Sequence, residues 1–219
     1  MVTPKLAKEL IRDISTTMSG LRERNLLRDE NGISQGYQPN GVYEVTFSGK
    51  NDTGNIVYDS NISYSHLIDV LLSGRQYSVL LYDKSIIQAE FLISNNSLVK
   101  ERLMFVKKHN KIWEQDEILE YEAISEEDWF SEEIGIPTIL RVDFDPAEHK
   151  ECIHAAAHLT LSNHESCRIP LKSAMLFSQF VEFILFHFYG IDTNLCSNKV
   201  FIEDSITESE MKMIHLNWH

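Results

Sequence analysis

Between Lys5 and Leu27 the apolar residues Leu6, Leu10, Ile14, Met18 and Leu21 recur three or four positions apart, with Pro4 placed to open a first turn. That spacing predicts an amphipathic helix. The following Asn31–Asn40, rich in Gly, Asn, Gln and Pro, predicts a loop. Period-two alternation begins at Gly41–Gly49, where Val42, Glu44 and Thr46 oppose Tyr43, Val45 and Phe47, so a strand is expected there. Asn51–Gly54 has turn chemistry, Ile56–Tyr58 fits a short strand, and Ser63–Leu72 fits a helix stopped by Gly74. Three strand-like runs follow closely: Gln76–Tyr82, Ser85–Ser94 and Leu98–Lys107. Asp83-Lys84 and Asn95-Asn96 mark the first and second junctions, both short enough for hairpins and too short for crossover helices. An antiparallel meander is therefore expected, and a doubly wound parallel sheet is not.

The second half of the chain adds a hairpin and three helices. Ser125–Asp128 has the pattern of a capping box opening a short acidic helix. In Thr138–Asp145, Arg141, Asp143 and Asp145 share one face and Leu140, Val142 and Phe144 the other. In His154–Ser162, His154, Ala156, His158 and Thr160 share a face opposite Ala157, Leu159 and Leu161. Joined through Pro146–Ile153, these runs make a second hairpin. Ser173–Tyr189 is apolar almost all round and is ended by Gly190, which predicts a helix buried against the sheet, with Phe177, Phe180, Ile184 and Phe188 in the core. A last short helix is expected from Thr207. The fold class is α+β: a mostly antiparallel sheet, meander plus hairpin, covered by helices. Residues 1–190 form its single domain, and 191–219 a C-terminal extension.

Charge changes this picture in one place. The formal net charge is −13, yet ten of the 33 acidic residues lie between Glu114 and Glu133, where no Lys or Arg occurs. The remainder is near neutral, with 23 acidic against 20 basic residues. Such a chain has no basic stripe to drive non-specific nucleic-acid binding by counterion release. The band itself is a solvated face or, alternatively, a docking surface for a basic partner beside Trp113, Trp129 and Phe130. Cys152, Cys167 and Cys196 are odd in number and never paired as Cys-x-x-Cys, as expected of reduced thiols in a cytoplasmic protein. The most apolar stretch, Met175–Tyr189, is broken by Gln179, Glu182 and His187 and is too short to span a bilayer.

The chemistry concentrates on the second hairpin. Arg141, Asp143, Asp145, His154 and His158 fall on one predicted sheet face. An imidazole near neutral pKa serves as general acid or base, a carboxylate orients it, and Arg141 offers a bidentate grip on phosphate or carboxylate. On this reading His154, His158, Asp143 and Asp145 are the catalytic candidates, and Arg141 and Arg168 bind substrate. A Mg²⁺ or Mn²⁺ requirement stays open. On a regular strand His154 and His158 would stand about 13 Å apart (four residues at roughly 3.3 Å), too far to share one metal ion, so no metal ligands are assigned and no structural zinc is expected. His158, facing a cleft, should be replaceable without loss of stability. The competing interpretation is architectural: an Arg141–Asp143 ion pair and a hydrogen-bonded core His158. Gln88, Glu90 and Arg102 are further polar residues near the site, and His187 is expected in the core.

Several segments carry a resemblance. Tyr82–Gln88, Glu101–Phe105, Leu140–Pro146, His154, His158–Leu161, Cys167–Pro170 and the Phe180–Tyr189 helix resemble a bacterial family of unknown function, domain-of-unknown-function family 2290. The likeness runs from about Ser63 to Tyr189. It departs at Ala155, where a proline is expected, and at Ser162-Asn163, where Gly-Gln is expected. The resemblance implies an architecture and a bacterial or phage-related origin; it implies no activity. A weaker likeness, confined to Arg141–His158, is to small toxins of toxin–antitoxin pairs. Together with the Arg/Asp/His face it points to a phosphodiester or nucleotide hydrolase, an RNase- or nuclease-like effector of defence or toxin–antitoxin type. The alternative is a non-enzymatic module docking a partner protein through residues 114–133.

Overall fold

A computed structural model of the chain describes residues 2–52, 56, 62–107, 138–161, 167–195, 200 and 202–213. Within them nine strands form one sheet, and every pairing is antiparallel: β1 (Leu27–Glu30), β2 (Ile33–Tyr37), β3 (Tyr43–Phe47), β4 (Val79–Leu81), β5 (Ile86–Ser94), β6 (Ser97–Lys107), β7 (Thr138–Phe144), β8 (Ala157–Leu161) and β9 (Arg168–Pro170). The order is β1-β4-β5-β6-β7-β8-β9, and β3 joins the far end of β5 with β2 outside it. Three helices accompany the sheet: α1 (Lys5–Glu23), α2 (Tyr64–Ser73) and α3 (Phe177–Tyr189). The fold is α+β, as the alternation predicts. Asn95 and Asn96 close the β5–β6 hairpin with φ of +49° and +62°, the paired positive angles of a two-residue turn that asparagine tolerates.

Strand pleating sorts the sheet into two faces. Ala89, Phe91, Leu103, Phe105, Leu140 and Val142 are buried on one, packed with Leu10, Ile14 and Leu21 of α1 and Phe177, Phe180 and Ile184 of α3. Burying these large side chains is the main stabilising term of the domain. Asp13 of α1 accepts hydrogen bonds from the Ser178 N–H (3.0 Å) and hydroxyl (2.6 Å), so one carboxylate both caps α3 and ties the helices together. Burial pushes the Asp13 carboxyl above its usual range against those two donors. On the opposite face, Ile86, Met104 and Val106 pack under Leu67, Ile68 and Leu71 of α2. Ser63 caps α2, its hydroxyl accepting from the His66 N–H. Beyond this helix the same face carries the polar residues Gln88, Glu90, Arg102, Arg141, Asp143, His158 and Thr160.

Some expectations are corrected. Asn31–Asn40 contains a strand, β2, because its backbone pairs along β3 from Ile33↔Phe47 to Tyr37↔Tyr43, although its side chains do not alternate. β1 and β9 form for the same reason, through β4 and β8. α3 is not buried all round: Phe177, Phe180 and Ile184 are fully buried, Phe188 partly, and Phe186 is 56% exposed. His187 is exposed and leans on the Phe183 ring (4.4 Å between centroids), so it is no core residue. After Gly190, which ends α3 at a φ of +68°, Leu195 is buried in the core and Glu210–Lys212 makes a 3₁₀ turn, shorter than the expected last helix. The expected strand at Ile56–Tyr58 lies outside the described residues apart from Ile56, and the acidic helix at Ser125 lies wholly outside them.

Candidate functional site on the open sheet face

The register of β6 to β9 assembles the site in rows. Across β6, β7 and β8 one row reads Arg102, Asp143, His158; the row two residues along reads Met104, Arg141, Thr160, and continues to Arg168 on β9. Arg141 Nε lies 3.5 Å from Asp143 Oδ2, and His158 Nε2 lies 3.9 Å from the same oxygen. The hairpin of Thr138–Phe144 with Ala157–Leu161 is present, and it aligns Asp143 with His158.

His154 reaches the site by a different route. β8 begins at Ala157, so His154 precedes the strand and sits in a bridge with Lys150, with mutual backbone hydrogen bonds. The chain bends there, and the His154 and His158 rings meet edge to face at 4.8 Å between centroids. The expected separation of about 13 Å for a regular strand does not apply, because residues 154–156 are not strand. The bend also positions His158. Its Nδ1 is 3.0 Å from the Ala155 carbonyl, which can only accept, so Nδ1 carries the proton and Nε2 is the basic nitrogen of the neutral ring. The group that orients His158 is therefore a backbone carbonyl, and Asp143 stands at the opposite nitrogen. Sequence patterning has no signal for a carbonyl in that role.

Burial and the surrounding charges favour the neutral form of both rings. Burial lowers the His158 pKa most, and His154 and Arg168 lower it further, against the opposing pull of Asp143 and the Ala155 carbonyl. For His154, burial and then the Arg168 cation depress the pKa. His158 is 3% exposed, so the expectation that it faces an open cleft is corrected: its removal would leave the Ala155 carbonyl unpaired in a packed region. Asp145 stands apart. Its Oδ2 pairs with Lys100 Nζ at 2.7 Å at the end of β7, where the ion pair ties two adjacent strands.

Beside Arg141 and Asp143 the face hollows into a cavity of about 30 Å³, room for a water-sized group, whose polar lining is Lys50, Gln88, Glu90, Arg102, Arg141 and Asp143. Lys50 was not among the sequence candidates. It bridges Glu44 (2.8 Å) and Glu90 (2.6 Å); against the effect of burial, Lys50 lowers the Glu44 carboxyl and the two carboxylates raise the Lys50 ammonium. Thr160 has no signal in the sequence beyond its place on the shared face, yet it is fully buried between Arg141 and Arg168. Among the described residues, no group of three or more His, Cys, Asp or Glu is placed to hold a metal ion. Cys152 and Cys167 are free thiols. The acidic segment 114–133, with Trp113, Trp129 and Phe130, lies outside the described residues. Among the described residues no helix is long and apolar enough to cross a membrane.

The family described as "Uncharacterized conserved protein (DUF2290)" matches residues 26–218, and the chain belongs to it. No curated protein and no solved structure matches the chain, so the likeness to small toxins has no support from either comparison.

Proposed function

We propose that the open sheet face of this DUF2290 member is an acid–base site for a phosphate-bearing substrate, acting as a phosphodiester or nucleotide hydrolase. The observation that carries the proposal is the facing of His158 Nε2 and Asp143 Oδ2, 3.9 Å apart, with the other ring nitrogen held by a carbonyl. Neutral His158 presents a lone pair to a carboxylate. Two acceptors face each other, and a proton donor between them, the water to be activated, would satisfy both. In the proposed step a lone pair of that water's oxygen attacks phosphorus and one of its protons passes to His158. The bond to the leaving oxygen breaks with its electrons, and that oxygen takes a proton from His154. In the free protein burial and the Arg168 cation disfavour the protonated form of His154 that must act as the acid. A bound phosphate offsets the cation and restores its proton. Arg141 and Arg168 hold the phosphoryl oxygens and stabilise the charge that develops on them. The finer assignment, an RNase- or nuclease-like effector of defence or toxin–antitoxin type working in the cytoplasm, extends this chemistry to polymeric substrates.

The test is degradation of labelled RNA, DNA and nucleotides, with and without Mg²⁺ or Mn²⁺. His158→Asn keeps a donor for the Ala155 carbonyl while removing the base, and a rate loss of about 10²–10⁴ is expected. Arg141→Lys should also fail, since a point charge does not reproduce a planar fork. Cleavage that survives His158→Asn would overturn the proposal.

A further inference from the structure

We propose that Thr160 is the floor of an oxyanion subsite, its hydroxyl donating to one oxygen of a terminal phosphate gripped between Arg141 and Arg168. This deepens the acid–base proposal and rests on it for the identity of the substrate, while the site itself rests on three separate observations. The first is register. Arg141, Thr160 and Arg168 are consecutive partners across β7, β8 and β9, so all three rise from the same face. The arginine backbones are about 10 Å apart, two strand spacings, with the threonine midway. The second is burial. Thr160 is 0% exposed, and its Oγ1 has no hydrogen-bond partner among the described residues. The third is that Arg168 Nε, on the neighbouring strand, is also buried and without a partner there. Buried polar atoms are paired in the great majority of cases, and leaving a hydroxyl and a guanidinium nitrogen unpaired side by side is costly. A ligand with acceptors only, such as a phosphate, completes both.

The same geometry selects an end group. The row next to Thr160 holds His158, 3% exposed. A phosphate that reaches rows as covered as these must end its molecule, which narrows the hydrolase reading to its nucleotide branch and away from the interior of a polymer. The subsite also couples to the histidines. Arg141 lies 3.5 Å from Asp143 in the free protein, and an anion competes for it, releasing the carboxylate to the proton donor at His158 Nε2.

Thermal melting and titration calorimetry with inorganic phosphate, a nucleoside 5′-monophosphate, and a dinucleoside monophosphate lacking a terminal phosphate test the inference. The first two should raise the melting temperature by binding the native state, and the third should not. Thr160→Val should weaken phosphate binding about tenfold or more, the loss of one hydrogen bond to a charged group, while melting above the wild type because an unpaired buried hydroxyl is gone. Thr160→Ser, which keeps the hydroxyl, should retain binding and guards against a valine variant that fails to fold. Equal phosphate binding by wild type and Thr160→Val, no phosphate binding by the wild type, or equal binding of the dinucleoside would each overturn the subsite. The two proposals fail separately. Thr160-dependent phosphate binding without cleavage of any substrate ends the hydrolase and leaves the subsite, whereas cleavage undiminished in Thr160→Val does the reverse.

Discussion

Strands β6 to β9 bury polar atoms on both faces of the sheet, but the faces treat those atoms differently. On the core face the intruder is Glu101, 0% exposed in register with Phe144. Its two carboxylate oxygens accept from the Met175 N–H at 3.1 and 3.3 Å, and Met175 lies just before α3, so the carboxyl anchors the helix entry. Burial raises the Glu101 carboxyl well above its usual range, with Asp143 adding to the effect. On the open face Thr160 Oγ1 and Arg168 Nε are equally covered but have no such donor or acceptor among the described residues. A polar group kept for the fold is matched to a partner in the fold. On the proposed reading, Thr160 and Arg168 are left for a ligand to match, and the contrast then separates architecture from function within one sheet.

Breaking the core face should have the largest effect. Phe180 is 0% exposed between the sheet and α1, so Phe180→Ala should cost about 3–5 kcal/mol in urea unfolding. A variant as stable as the parent would mean that the packed face is not where stability resides. A smaller effect is expected at Glu101. Glu101→Ala leaves the Met175 N–H unpaired and should cost about 1–3 kcal/mol, while Glu101→Gln keeps an acceptor without a titrating proton and should be neutral or stabilising at pH 7. If the two substitutions were equally harmful, the charge at Glu101 would matter in its own right, and the comparison of faces would lose its architectural half.

Much of the core face was legible because hydrophobic periodicity reports burial directly. Leu10, Ile14 and Leu21 on α1, and Phe91, Leu103, Phe105, Leu140 and Val142 on the strands, stand where their periods place them. β1, β2 and β9 were not legible, since edge strands are made by backbone pairing and their side chains need not alternate. The open face was legible in part. Arg141, Asp143 and His158 follow from alternation, but His154 arrives through a chain bend that period-two reasoning reads as strand. The Ala155 carbonyl has no side-chain signal, and Lys50 comes from beyond β3, so only tertiary structure brings it beside Glu90. Thr160 looks like any strand threonine until its burial and lack of partner are seen. Asp145 shares the face by alternation, and only the structure shows that it pairs with Lys100 at the strand end.

The smallest expected effect concerns pH and separates the two faces by sign. His154 and His158 have pKa values lowered in the folded protein, chiefly by burial. An unfolded histidine titrates near 6.5. The open face therefore contributes its full stability above about pH 6.5 and loses it as pH falls from there toward the folded values, because the unfolded chain then binds protons that the native state refuses. Asp13, Asp83 and Glu101 are raised by burial and act in the opposite sense. Their contribution is complete below the unfolded carboxyl range, about pH 4, and is lost as pH rises through the folded values. Melting temperature measured from pH 8 down to pH 5 should fall on the acid side, the underlying loss of unfolding free energy being no steeper than about 1.4 kcal/mol per pH unit for each histidine. His158→Asn, which cannot titrate, should flatten that limb, whereas Glu101→Gln should leave it in place and lift the alkaline side. Identical acid limbs in the wild type and His158→Asn would show that His158 is not held neutral by its surroundings, and the lone pair assigned to Nε2 would lose its basis.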